Sequence, residues 1–156
     1  MRIGEHGVRE HIRLLFPALV LVSGVWCLRL ILSASGLPIA LVKLASVTVA
    51  TTVSVLLSVI LIHARRFGGY ASVVVASLLI NLWAQALVIF SILFGILTGT
   101  ENIYSVPEFR IGANQWVHIY GHLTFGIATG TLVGAAVGCL LLWLLRTILR
   151  PRESGQ

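Results

Sequence analysis

Two histidines four residues apart, His118 and His122, have the type and spacing in this sequence that best suit chemistry. On a helix an i, i+4 pair projects both imidazoles from one face, which suits metal ligation or a shared hydrogen-bond network. The string His-Ile-Tyr-Gly-His lacks the glutamate that follows the first histidine in zinc peptidases, which disfavours that hydrolytic chemistry. A metal ion would need further ligands, and Glu101 or Glu108 from the preceding stretch would have to supply them. Hydrogen bonding at an interface or in a core is the expected role of the pair.

Three further polar side chains interrupt strongly apolar sequence: Arg29, Lys43 and Gln85. Asn81 lies one helical turn from Gln85, and Ser77, Asn81 and Gln85 make an i, i+4 row. Thr48, Thr51, Thr52, Ser54 and Ser58 give their segment a hydroxyl-rich face.

The elements that must carry these groups follow from composition. Of 156 residues, 58% are hydrophobic and only 10% are charged, whereas a soluble domain carries about a quarter charged residues. So little charge cannot coat a soluble surface, and lipid must be part of the solvent. A hydrocarbon core about 30 Å thick needs roughly 20 apolar residues of helix. The stretches 14–34, 39–62, 71–98 and 115–146 meet that length. The expected fold is all-α, a polytopic four-helix transmembrane bundle spanning 14–146, with a last helix long enough to tilt or project.

Ser-Ala-Ser-Gly-Leu-Pro at 33–38 and Arg-Arg-Phe-Gly-Gly-Tyr at 65–70 read as tight breaks, and 99–114 reads as the one substantial loop. Residues 1–13 form either an interfacial helix or a frayed tail, and 147–156 form a basic tail. An apolar stretch this long, interrupted by Arg29, reads as a retained helix and not as a cleaved signal. Arg2, Arg9, Arg13, Arg65, Arg66, Arg146, Arg150 and Arg152 fall at one end of the bundle, and the other end has Arg110 with Glu101 and Glu108. Positive-inside counting puts both termini in the cytoplasm, in a plasma (inner) membrane. The net charge of +6 is then a topology signal facing anionic headgroups; no nucleic-acid partner is expected.

At 1.5 Å per residue, Arg29 lies about 22 Å and Gln85 about 21 Å from the cytoplasmic ends of their helices. His122 lies roughly 9 Å and Lys43 about 6 Å below the outer ends of theirs. Four helices thus place polar groups in the outer third of the membrane, where lipid offers no hydrogen-bond partner. Arg29, Gln85 and His122 are expected to converge inside the bundle. Tyr104 and Phe109 of the loop would fold over them, and Glu101 or Glu108 would pair with Arg29 or Lys43. Ligand-binding candidates are therefore Arg29, Lys43, Gln85, His118 and His122. The five acids (Glu5, Glu10, Glu101, Glu108 and Glu153) all lie outside the apolar stretches. A ligand at this cationic cluster would be anionic or a hydrogen-bond acceptor, such as a lipid phosphate or a quinone carbonyl.

The fourth helix continues the histidine spacing as Gly126, Gly130, Gly134 and Gly138. Glycine every four residues strips one ridge and lets another backbone approach, the main source of helix attraction in lipid. The row, together with Asn81, marks helix packing, with a partner inside the chain, in a second copy or in another subunit.

Enzyme chemistry finds little support. There is no Asp for a triad, no Gly-x-Ser-x-Gly elbow and no phosphate-binding glycine loop. No cofactor is expected; haem is the alternative, but its two histidines would have to come from different helices, and His118 and His122 share one. His63 is at the cytoplasmic end, with only His6 and His11 to join it. Cys27 and Cys139 fall at different depths and are expected to be free thiols. The functional expectation is a non-enzymatic packing or accessory subunit, with membrane lipids, other membrane subunits or its own copies as partners. The alternative is a binder of an anionic lipid or quinone through the outer cluster.

Overall fold

In a computed structural model, residues 2–3, 6–106 and 114–149 are described. The protein is an all-α bundle with four helical spans long and apolar enough to cross a membrane: Val8–Ala34, Ile39–Ala64, Tyr70–Thr98 and Gln115–Ile148. A two-residue antiparallel ladder, β1 (Arg2–Ile3) with β2 (His6–Gly7), precedes them.

Helix α1 (Val8–Ala34) begins earlier than the apolar pattern suggests. Glu10 accepts a hydrogen bond from the Gly7 N–H at 2.7 Å, tying down the amide that leads into the first turn. The helix then continues unbroken, so the charged stretch from Val8 to Arg13 forms its first turns.

The second span is divided, where a single helix over 39–62 is the expectation from sequence. Helix α2 (Ile39–Val42) stops at Lys43, and α3 (Val47–Ala64) starts afresh. Ser46 explains the restart: its side chain accepts from the Val49 N–H at 3.3 Å, an N-cap bond available only when the residue itself is extended.

Helix α4 (Tyr70–Thr98) ends on Gly99 in the left-handed region at φ 68, which glycine adopts without strain. The fourth span starts as α5 (Gln115–Gly121), capped by Asn114, whose side chain accepts from the Trp116 N–H at 2.9 Å. It passes through a π-helical turn at His122–Gly126 into α6 (Ile127–Ile148). The Phe109, Glu108 and Arg110 expectations lie outside the described residues, as do Glu5, Arg150, Arg152 and Glu153.

Buried Leu15, Ala18 and Val22 of α1 meet a core of Val55, Val59 and Ile62 from α3 and Val73, Ile80 and Ile92 from α4. Two tryptophans link α1 and α4 in opposite directions: Trp26 donates to Ser91 and Trp83 donates to Ser23, each at 2.9 Å. Ser54 donates to the Ala18 carbonyl of α1 at 3.1 Å. Many remaining hydroxyls return to their own helix, as Thr51 does to Val47 O and Ser58 to Ser54 O, both at 2.7 Å. Such bonds spare a hydroxyl the cost of facing hydrocarbon unpaired.

At the opposite end to the 99–106 loop, Arg146 donates to the Gly68 carbonyl at 2.9 Å and its guanidinium lies 5.3 Å from the Tyr70 ring centre. Beside it, His6 stacks on Phe67 at 3.9 Å and His11 meets the same ring edge-on at 5.0 Å. The N-terminal segment is thereby held to the α3–α4 turn.

Candidate functional site

Two i, i+4 rows face one another along the α4–α6 contact. A Cβ on Gly126 would lie 2.9 Å from the Gln85 amide, one on Gly130 would overlap the Asn81 carboxamide oxygen, and one on Gly138 would lie 2.8 Å from Val73. Gly134 faces Ser77 and Val55 at an ordinary 3.5 Å. Antiparallel helices with equal steps keep this register, so Gly126, Gly130 and Gly134 face Gln85, Asn81 and Ser77 in turn, and Gly138 meets Val73 one step further. In a straight α-helix an i, i+4 row drifts by about 40° per step. The wider i→i+5 turn at His122–Gly126 reduces that drift. It keeps His122 and Gly130 aimed at the same neighbour.

Room at Gly126 lets Gln85 reach the imidazoles. Gln85 Oε1 accepts from His122 Nδ1–H at 2.6 Å, and His122 Nε2 lies 3.3 Å from His118 Nε2. An N···N contact holds a single hydrogen. With Nδ1 of His122 already the donor, its Nε2 accepts and His118 donates. Gln85 keeps its NH2 group as a further donor.

Arg29 enters from α1 and lies with its guanidinium 5.0 Å from the Tyr104 ring centre. Tyr104 is positioned by its own loop. Asn102 Oδ1 accepts from the Tyr104 N–H at 3.0 Å, and Asn102 Nδ2 donates to the Ser91 carbonyl at 2.7 Å. Gly95 makes this docking possible, since a Cβ there would stand 3.1 Å from both Asn102 Nδ2 and the Thr100 carbonyl. Burial pushes the Tyr104 hydroxyl up to about 12, with the positive charge of Arg29 acting in the opposite direction.

These groups line the end of one cleft of about 570 Å³ between α3, α4 and α6. Arg29, Gln85, His118, His122, Asn81, Gly126, Gly130 and Gly134 all border it. Gly138 lies beyond it, buried against Val73 and Val59. Lys43 is absent from its lining and is exposed at the break between α2 and α3. Among the described residues the lining contains no acid.

The apolar wall, which includes Val55, Leu56, Val133 and Val137, is not evident from the sequence. These residues match the lipid-facing ones in type, and only their three-dimensional placement distinguishes them. Thr51 and Thr52 also line the cleft, yet each donates to a carbonyl of its own helix, at 2.7 and 3.0 Å. The wall is consequently less polar than its composition implies. Among the described residues no three His, Cys, Asp or Glu side chains cluster closely enough to hold a metal ion. No protein-family model, curated protein or solved structure matches the chain.

Proposed function

We propose that the bundle binds a membrane amphiphile in the cleft between α3, α4 and α6. Its polar head sits at the Arg29–Gln85–His118–His122 end, and its apolar body lies along the wall formed by Val55, Leu56, Val133 and Val137. The observation that carries this reading is the cleft itself. It has one end lined by hydrogen-bonding groups, and its 570 Å³ lies within the roughly 300–1,000 Å³ usual for small-molecule sites. The glycine row, whose partner the sequence leaves open between the same chain, a second copy and another subunit, faces α4 of the same chain. Binding therefore has more support than an accessory packing role. The arginines at the end formed by Arg13, Arg65, Arg66 and Arg146 favour both termini on the cytoplasmic side, and so a head group in the outer leaflet.

Native mass spectrometry of the protein released from mild detergent tests the reading. The expected spectrum carries an adduct of lipid-like mass that is lost from both His122→Phe and Gln85→Met, which remove polar groups but keep bulk. An adduct retained equally by both variants, or none on the wild type, would overturn it.

A further inference from the structure

We infer that the amphiphile has an uncharged ring head with two opposed carbonyl oxygens, of the para-quinone type, and an aliphatic tail that leaves the cleft between α3 and α6. The inference rests on the binding function proposed above and names its ligand class.

Two polar groups that border the cleft are almost fully buried and still have a hydrogen to give. Tyr104 is 5% exposed, and its hydroxyl makes no hydrogen bond among the described residues. Arg29, half-buried beside the Tyr104 ring, has only donors and cannot take that hydrogen. Asn81 is 4% exposed; its Nδ2 gives one hydrogen to the Ser77 carbonyl at 2.8 Å and keeps the second. Gln85, one turn along the same helix, adds its NH2 group to the Tyr104 end. A buried donor without an acceptor is costly, and a ligand oxygen at each station removes that cost.

Spacing favours a ring. Asn81 and Gln85 are four residues apart, about 6 Å along the helix. Two C=O bonds of about 1.23 Å on opposite sides of a six-membered ring hold their oxygens roughly 5 Å apart. One oxygen can accept from Tyr104 and Gln85 and the other from Asn81, and a rigid ring loses little freedom in doing so.

Depth sets the charge. Asn81 stands about 16 Å from the Tyr70 end of α4 and about 25 Å from the Thr98 end. In a core about 30 Å thick this is close to the midplane. A head that reaches Asn81 is therefore dissolved in hydrocarbon, where a neutral dione is at ease and a carboxylate or phosphate is not.

The route follows from exposure. On α3, Thr48 and Thr52 line the cleft and are exposed; on the facing helix, Thr129, Val133 and Val137 do the same. The cleft consequently opens toward the bilayer between these two helices, so the tail can run out into lipid.

A titration of the delipidated full chain in detergent, read by native mass spectrometry, tests this with four probes. They are a decyl trimethyl para-benzoquinone, whose filled ring cannot add to the free thiols, decyl phenyl ketone with its one oxygen, palmitate and monoolein. The expected result is one dione per protein, bound at least tenfold tighter than each of the others. Asn81→Ala should weaken the dione at least fivefold and leave the ketone unchanged, whereas Tyr104→Phe should weaken both. Ketone, palmitate or monoolein bound as tightly as the dione would overturn the inference, as would Asn81→Ala weakening dione and ketone equally. If the tightest probe still lost its binding in His122→Phe, the binding function would stand. Binding of every probe indifferent to all three substitutions would overturn the two together.

Discussion

Gly130 lies so close to Asn81 that a side chain on the glycine would overlap the asparagine's carboxamide oxygen. The asparagine is itself held, since its Nδ2 donates to the Ser77 carbonyl at 2.8 Å and the group cannot turn aside without losing that bond. The polar row of α4 and the bare ridge of α6 are therefore two halves of one contact, and that contact sets where Gln85 meets His122.

The first prediction compares two glycines of that ridge. Gly130→Ala should destabilise the bundle by about 1–3 kcal/mol, the range for forcing bulk into a packed site. Gly134→Ala, whose new Cβ would make only ordinary contacts at 3.5 Å, should leave thermal unfolding in detergent nearly unchanged. Adding Asn81→Ala to Gly130→Ala should recover much of the loss. Equal melting temperatures for the two single variants would contradict the register described.

The crossed tryptophans give a second. Trp26→Phe and Ser91→Ala remove opposite ends of one 2.9 Å bond. A double-mutant cycle should return a coupling of about 0.6 kcal/mol and no more than about 1.7, the span seen for hydrogen bonds between membrane helices. Strictly additive effects would mean that the indole donates elsewhere.

Much of this bundle can be read from the sequence, and the parts that cannot share a physical cause. Four spans follow from apolar length alone. The common level of Arg29, Gln85 and His122 follows from helical rise, and these three residues border one cleft. Lys43 does not join them: it is exposed at the end of the short helix α2, before Ser46 starts α3. Both i, i+4 rows are visible in the sequence, but a ridge does not reveal which neighbour it meets. Nor does it reveal the π turn that keeps His122 and Gly130 in line. The apolar wall is hidden most completely, since a valine facing a cleft and a valine facing lipid obey the same chemistry.

A third prediction concerns the thiols. Cys27 is exposed and Cys139 is half-buried, and both are free. Alkylation under denaturing, non-reducing conditions should add two labels to every chain. A population that takes label only after reduction would contradict the helix arrangement.

Orientation is the fourth. In a chain lacking its native cysteines, Arg66→Cys should be blocked only by reagents that reach the cytoplasm, and Thr100→Cys by impermeant reagents applied outside. Both positions are exposed, at opposite ends of the bundle. The reverse pattern would place the histidine cluster in the inner leaflet and contradict the arginine argument.

Whether an amphiphile occupies the cleft is tested most directly by photo-crosslinking in native membranes. A diazirine-tailed fatty acid and a diazirine-tailed phospholipid would be used in parallel, with the attachment sites mapped by peptide mass spectrometry. The account predicts adducts concentrated on Leu56, Val133 and Val137, which line the cleft, and their loss in His122→Phe. Adducts spread instead over the outward-facing Leu132, Leu140 and Trp143, and unaffected by that substitution, would show that lipid only surrounds the bundle and would contradict the account.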